Sequence, residues 1–526
     1  MASRQLFLRH LFDGGWVTDL GPNSDIVPDG NIVRLPFLLE ADNLVYELDG
    51  GPHKAPGTSK LNSSVLESGA DIKGLYDFWI SGTTASPVQK RVIHVGTTIK
   101  KDDADGSFSD IFTGLESDKI PSYAVLNDLL VMASDSTVDV PRSWDGTTAQ
   151  NLAGSPPNFA FVVKHKNRLW ASGDAANPSK VYYSAFLNPE DWTGLGSGEI
   201  SVDPDDGDVI TGLISHKNEL WVFKGPYKGS IHRITGSAPT GGDPFGLTLF
   251  QEGIGAVGHN TIFRLRDDIG FMWSDGSVHS LKSTAAFGDF NETSLTRQIQ
   301  TYIRQHTVFN RLKHAYAVND SDEGRVLFSI PIDTAQQPSI VLSMDYRFNP
   351  VRWSKWPSFS DTCVSLASVV DSSASNRRIV MGGGTDGFVR KFGQSTRSID
   401  GTTAISYKWS TPYLTYGSPD IMKTLCGGSL GFQPKNGNTV TLGWTRDNNA
   451  QQTQAVNQGG TALLDTFLLD TDVLGGGRFV DRFFETEDGD EFRAASFEVT
   501  NNVNSEDVEM HSLSVLIEPG GRSMEN

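Results

Sequence analysis

The sequence predicts an all-β fold made of short strands that recur along the chain, and three observations carry that reading. The first is composition. The 526 residues include 54 glycines, and Asn, Asp and Ser are spread throughout, which supplies many tight turns; 38% hydrophobic and 10% aromatic residues supply a core. The second is a repeat: a polar residue, an apolar run with large side chains, then a Gly/Asp/Asn turn. It occurs at 91–96 (RVIHVG), 127–133 (NDLLVMA), 167–172 (NRLWAS), 218–224 (NELWVFK), 268–274 (DIGFMWS), 324–330 (GRVLFSI) and 377–382 (RRIVMG). The third is a series of Asp-Gly pairs between strand-like runs, at Asp105-Gly106, Asp145-Gly146, Asp275-Gly276 and Asp386-Gly387. Such pairs supply the positive-φ positions that tight hairpins need.

The repeats start roughly 35–60 residues apart, near the ~40–50-residue period of propeller blades. A sandwich repeats its turns every ~8–12 residues without a second, longer period. A four-stranded blade cannot bury both faces alone, and stacking blades around an axis covers each apolar face with the next. The predicted fold is therefore a β-propeller of about six or seven blades over residues 61–398. One helix is expected as an insertion at 291–305, where Asn291 is a good N-cap and Leu295, Ile299, Tyr302 and Ile303 form one apolar stripe.

The flanks differ. Residues 1–60 are punctuated by Asp13-Gly14-Gly15-Trp16, Pro22, Pro28, Pro36 and Asp49-Gly50-Gly51-Pro52, and read as an extended arm with a hairpin. Residues 399–526 alternate cleanly at 439–444, 492–500 and 511–517, and read as a β-sandwich-like domain ending in a frayed tail from Glu518.

The formal net charge of −19 argues against a protein that grips nucleic acid through phosphates. An acidic wall that DNA slides past stays compatible with it. The two cysteines, Cys363 and Cys426, form no C-x-x-C and imply neither a disulfide framework nor a zinc site. The start, MASRQLFLRHLFDGG, has no apolar run of signal length, and no stretch approaches ~18 apolar residues. Synthesis in a cytoplasm is expected.

Motifs of chemistry are few. Gly253-Ile-Gly255-Ala-Val-Gly258 matches G-x-G-x-x-G, but a strand-like run follows it instead of a helix, so an inter-blade turn is expected. A calcium loop starting at Lys101 fails at position 12, where Phe112 stands in place of Glu. The acidic run 204–208 reads as a solvated turn. His53, His94, His165, His216 and His314 follow no ligand spacing, and Trp170, Trp221, Trp273, Trp353 and Trp356 read as core. No catalytic residue, cofactor or metal is expected, and the chain is expected not to be an enzyme.

Several phrases together resemble the tail nozzle proteins of short-tailed bacteriophages, also called packaged-DNA stabilisation or tail accessory proteins. They are Phe12–Trp16 (FDGGW), Leu39–Tyr46 (LEADNLVY), Asp49–Gly51, Lys54–Leu61, Gly74–Trp79 (GLYDFW), Tyr182–Trp192 (YYSAFLNPEDW), Glu252–Ala256 and Trp409–Leu414 (WSTPYL) followed by Lys423. The resemblance implies a structural virion protein made in a bacterial host. It would be one subunit of a cyclic ring, a hexamer, that extends the DNA channel below portal and adaptor and retains the genome until ejection. Its implied partners are itself, the adaptor or connector, and needle, fibre or spike proteins, with a host surface beyond; packaged DNA would pass without sequence recognition. Gly14, Gly15, Trp16, Asn43 and Tyr46 are the expected assembly contacts. The alternative is a host-glycan-binding or protein-binding propeller module.

Overall fold

The computed structural model describes residues 6–12, 14–20, 23–24, 32–35, 37–48, 50–81, 87–103, 106–282, 294–371, 377–433, 438–447, 449–458, 480–484, 486 and 491–522. The chain divides into two compact units. One holds Lys60–Val341 and Phe359–Phe392; the other holds Met1–Ser59, Leu342–Ser358 and Gly393–Asn526.

The first unit is a β-propeller. Among the described residues, seven antiparallel blades follow one another in chain order, five as separate sheets and the last two, begun by Tyr316–Asp320 and Ser365–Asp371, as parts of larger sheets. Their inner strands are Ile72–Ile80, Pro121–Leu126, Phe161–His165, Val209–His216, Ile262–Leu265, Tyr316–Asp320 and Ser365–Asp371. Each inner strand touches the next, and the seventh touches the first, so the ring is closed. All seven sequence repeats fall on the second strand of a blade: Val88–Val95, Leu129–Ser134, Arg168–Ser172, Glu219–Gly225, Asp268–Met272, Arg325–Ile330 and Arg377–Gly383.

The repeat has a physical cause. The second strand is covered on both faces, so Arg168–Ser172 and Arg325–Ile330 are buried at every residue. The asparagine before it belongs to a two-residue hairpin turn. Asn127-Asp128, Lys166-Asn167 and Lys217-Asn218 all hold positive φ at both positions, as type I′ turns require. The cores lie between blades. Leu126, Val131, Leu169 and Ala171 join blades two and three; Trp170, Val181, Leu213 and Val222 join three and four. Ile72, Ile93, Val369 and Met381 join seven to one. Closure is completed just before the first blade. Leu61 N donates to Val389 O at 2.8 Å, and Asn62 accepts from Val389 N at 2.8 Å while donating to Gly387 O at 3.0 Å.

The expected helix is shorter and later. A 3₁₀ turn at Arg297–Ile299 leads into an α-helix at Gln300–His306; Asn291 lies outside the described residues. Ile299 and Ile303 from the expected stripe are buried.

The second unit pairs two sheets. One contains Ile32–Leu35, Leu6–Phe12, Met510–Arg522, Ile421–Phe432 and Val480–Phe484, in that order, with Glu491–Phe492 beside it. The other runs through Tyr413–Leu414, Ala495–Asn501, Tyr407–Ser410, Glu40–Asp42 and Arg352–Trp356, with Thr439–Arg446 on Ala495–Asn501. Rings interleave between the sheets: Phe12 lies edge-on to Trp409 at 5.1 Å, and Trp444 packs on Phe484 at 5.9 Å.

This corrects the expected domain division. The N-terminal segment is not a separate arm, because Leu6–Phe12 pairs antiparallel with Met510–Arg522, in the register Leu6↔Ile517 to His10↔Leu513. Its inward residues Leu8 and Phe12 are buried. The expected frayed tail is also strand as far as Arg522, since Glu518 stands opposite Thr424 and Arg522 opposite Ile421.

Candidate functional site

The inner strands of the propeller enclose an axial cavity of about 330 Å³, lined among others by Tyr76, Tyr123, His259, Arg264 and Tyr316. Gly74 makes room for it: a Cβ there would stand 2.6 Å from the Tyr123 hydroxyl and 2.3 Å from Pro121 Cγ. Tyr123 stacks on Tyr76 at 5.3 Å. Burial pushes the Tyr123 phenol well above its ordinary pKa, so it stays neutral.

A second, largely apolar cavity of about 270 Å³ opens at the starts of the inner strands, lined by Pro121, Phe161, Pro178, Ile210, Val257 and His259 among others. Phe161 and His259 stack nearly parallel at 5.1 Å. Asp135 and Asp174 are the carboxylates on its wall. Both are engaged by the fold. Asp135 accepts from Ile120 N at 2.6 Å and pairs with Lys313 at 3.1 Å. Asp174 accepts from Ala176 N, Asn177 and Tyr182 Oη. At the start of the inner strands, Asp118 gathers Lys73 at 2.7 Å, Gln337 at 2.6 Å and Arg311 at 3.0 Å. Partial burial opposes its ionisation, but these three donors outweigh it and hold the carboxyl well below the usual range.

Burial lowers the pKa of His94, His165, His259, His279 and His314 in this unit to about 4. The same side chains titrate near 6.5 in an unfolded chain. Between those values the unfolded state takes up protons that the folded state does not. Stability is therefore complete above about pH 6.5 and lost as pH falls toward 4. Urea unfolding should show a loss of about 1 kcal/mol per histidine at pH 5.5 relative to pH 7.5; an unchanged midpoint would contradict their neutral burial.

The acidic run 204–208 is not simply a solvated turn. The fully buried Lys224 ammonium donates to Val202 O at 3.0 Å and Asp203 O at 2.7 Å, and pairs with Asp206 at 2.8 Å. The chain itself fills the place a bound cation would take. Asp208 accepts from the backbone N–H groups of Tyr227, Lys228 and Gly229 at 2.7–2.8 Å. The G-x-G-x-x-G segment joins Gly246–Glu252 to Ile262–Leu265, an inter-blade connection. The Lys101 segment is a hairpin in which the buried Asp102 pairs with Arg91 at 3.1 Å.

The expected assembly residues are largely internal. Trp16 and Tyr46 are 2% exposed, and Asn43 is fully buried. Asn43, at φ 51°, donates to Ser406 O at 2.6 Å and Ser358 Oγ at 3.0 Å and accepts from Ser358 N. The Tyr46 hydroxyl donates to Trp353 O at 2.8 Å. Gly15 is buried, and a Cβ there would stand 2.9 Å from Arg352 Cβ; Gly14, half-buried, donates to Leu35 O. The side chains of Trp16, Asn43 and Tyr46 are thus committed inside the β-domain.

Sequence spacing missed one grouping. His53 and Glu509 face each other across an antiparallel bridge, with His511 two residues beyond. The E-x-H pair was visible, but its third member lies more than 450 residues away.

No protein-family model matches the sequence, and no curated protein matches it. Solved structures similar to it include YCF48 bound to D1 peptide, 9% identical, at TM-score 0.39, covering 64% of this chain and 99% of that one. Another is exo-β-1,3-galactanase from Phanerochaete chrysosporium with galactose, 9% identical, at TM-score 0.26, covering 88% and 100%. Likeness at that level carries no functional argument, and the propeller assignment stands on the closed ring of sheets.

Proposed function

We propose that the chain is a structural subunit of a phage tail nozzle, assembled as a cyclic ring that extends the DNA channel and retains the genome. One observation carries the reading. Three of the second unit's phrases that resemble this family, Phe12–Trp16, Leu39–Tyr46 and Trp409–Leu414, pack as one seam. Trp409 pairs with Ala41 and Lys408 with Asp42; Phe12 packs on Trp409; Leu39 N donates to Ser410 O at 2.9 Å. Within this unit, the resemblance thus falls on residues that pack against one another. The net charge of −19 suits a lumen that DNA slides through without sticking.

A ring needs a heterologous interface that closes. The phrase Tyr182–Trp192 offers a surface for it: Trp192 is buried, while Phe186 and Leu187 are 54% and 45% exposed. Native mass measurement of the purified chain and of virions tests the reading. A closed ring of six is the expected species. A strict monomer that is absent from virions would sink the proposal. The apolar cavity on the propeller favours a second reading, a module that binds a host glycan or protein, and glycan-array binding by a monomeric chain would select it.

A further inference from the structure

The geometry points to a divalent transition-metal site in the second unit, formed by His53, Glu509 and His511, with zinc as the cation it fits best. This inference is independent of the nozzle reading.

The backbone fixes the three residues. His53 lies in Pro52–Lys54, the return strand of a hairpin with Leu44–Tyr46. Lys54 N donates to Val508 O at 2.9 Å, and His53 bridges antiparallel to Glu509. Side chains directly opposite across such a bridge have Cβ atoms roughly 5 Å apart. Glu509 and His511 are two apart on an extended run, so they share a face. The result is three donors on one face of two adjoining segments, their ligand atoms all within 4.8 Å of one another. The Glu509 carboxylate lies between the imidazoles, 4.0 Å from His53 Nδ1 and 3.9 Å from His511 Nε2.

The chemistry matches the geometry. Two imidazoles and a carboxylate form a borderline nitrogen–oxygen set, with bonds to zinc of about 2.0–2.2 Å. Tetrahedral donors at that radius stand about 3.4 Å apart. The two carboxylate–imidazole separations close to that value with a shift of roughly half an ångström, and the imidazole pair, within 4.8 Å, with a shift of at most about 1.4 Å, within side-chain reach. His53 is 4% exposed, so the site has a dry floor. The half-exposed Glu47 carboxylate stands 3.6 Å from His53 Nδ1 and adds negative charge beside the site. Gln433, with its amide nitrogen turned toward the acid, donates to the Glu509 carboxylate and fixes its direction. A bound ion would clamp the 44–54 hairpin to the last strand of the chain.

The test uses the untagged full-length protein, stripped with chelator and dialysed against micromolar zinc chloride. Elemental analysis should find one zinc per chain, and the melting temperature of the loaded protein should rise by a few degrees. Glu509→Gln and His511→Asn should each weaken zinc binding at least tenfold, with the circular dichroism of the metal-free protein unchanged. Less than a tenth of an equivalent on wild-type protein at micromolar zinc overturns the site. So does binding that both variants retain in full, since the ion would then lie elsewhere. The wild-type titration decides the matter even if one variant fails to fold.

Discussion

Lys224→Met is expected to destabilise the propeller by about 3 kcal/mol or more in urea unfolding, with the m-value unchanged. The hydrocarbon stem is nearly conserved, so packing changes little. What is lost is the ammonium that the carbonyls of Val202 and Asp203 and the carboxylate of Asp206 surround. A buried carbonyl without its donor retains its desolvation penalty of roughly 1–3 kcal/mol. The same change should raise the pKa of Asp206: burial already pushes it up, and the bond from Lys224 is the leading effect that holds it down. Following the Asp206 carboxyl by NMR separates the two variants of the explanation. A loss of stability without a rise in that pKa would mean that packing, not charge, is at work.

Phe186→Asp together with Leu187→Asp is expected to convert the proposed ring into a folded 57.2 kDa monomer. Leu187 is held at φ 56°, a conformation that a branched side chain rarely adopts. Its backbone N–H is anchored on Asn167 O at 2.8 Å, and the Arg168 guanidinium stands 5.7 Å from the Phe186 ring. The loop thus presents two apolar side chains outward on a rigid base, and Leu195 is fully exposed nearby in sequence. Strain combined with apolar exposure is the pattern of a surface held ready for a partner. Aspartate tolerates positive φ better than leucine, so the loop itself should survive. The check is light scattering alongside thermal melting. A ring that persists with both aspartates in place would move the interface elsewhere.

Legibility in the sequence followed burial. In blades two, three and four the second strand is largely buried and begins at a turn with a demanding backbone, so both its apolar run and its asparagine stand out. Outer strands are half in solvent: Ala149–Asn151 and Gly246–Glu252 have few or no buried residues, and no pattern distinguishes them from loops. The β-domain was legible only in its C-terminal part. Its first strand finds its partner some 500 residues later, and no local periodicity encodes such a pairing. Asn43 and Tyr46 read as assembly candidates because they lie in a flanking phrase that carries the resemblance; their side-chain hydrogen bonds inside the domain go to residues 353–406, which only the fold brings near. Lys224 was hidden in an apolar strand, and His53 was hidden by distance from Glu509.

The pairing of the first strand with the last has a consequence for synthesis. The propeller can close once residue 392 has left the ribosome, because every strand of its ring then exists. Leu6–Phe12 emerges first and must wait for Met510–Arg522. At ~5–20 residues per second that wait is roughly half a minute to two minutes, with one edge of an apolar strand open throughout. The newborn chain is therefore a finished propeller trailing an unfinished domain, and only complete translation removes the sticky segment. Removal of Met510–Arg522 would strip Leu6–Phe12 of its antiparallel partner.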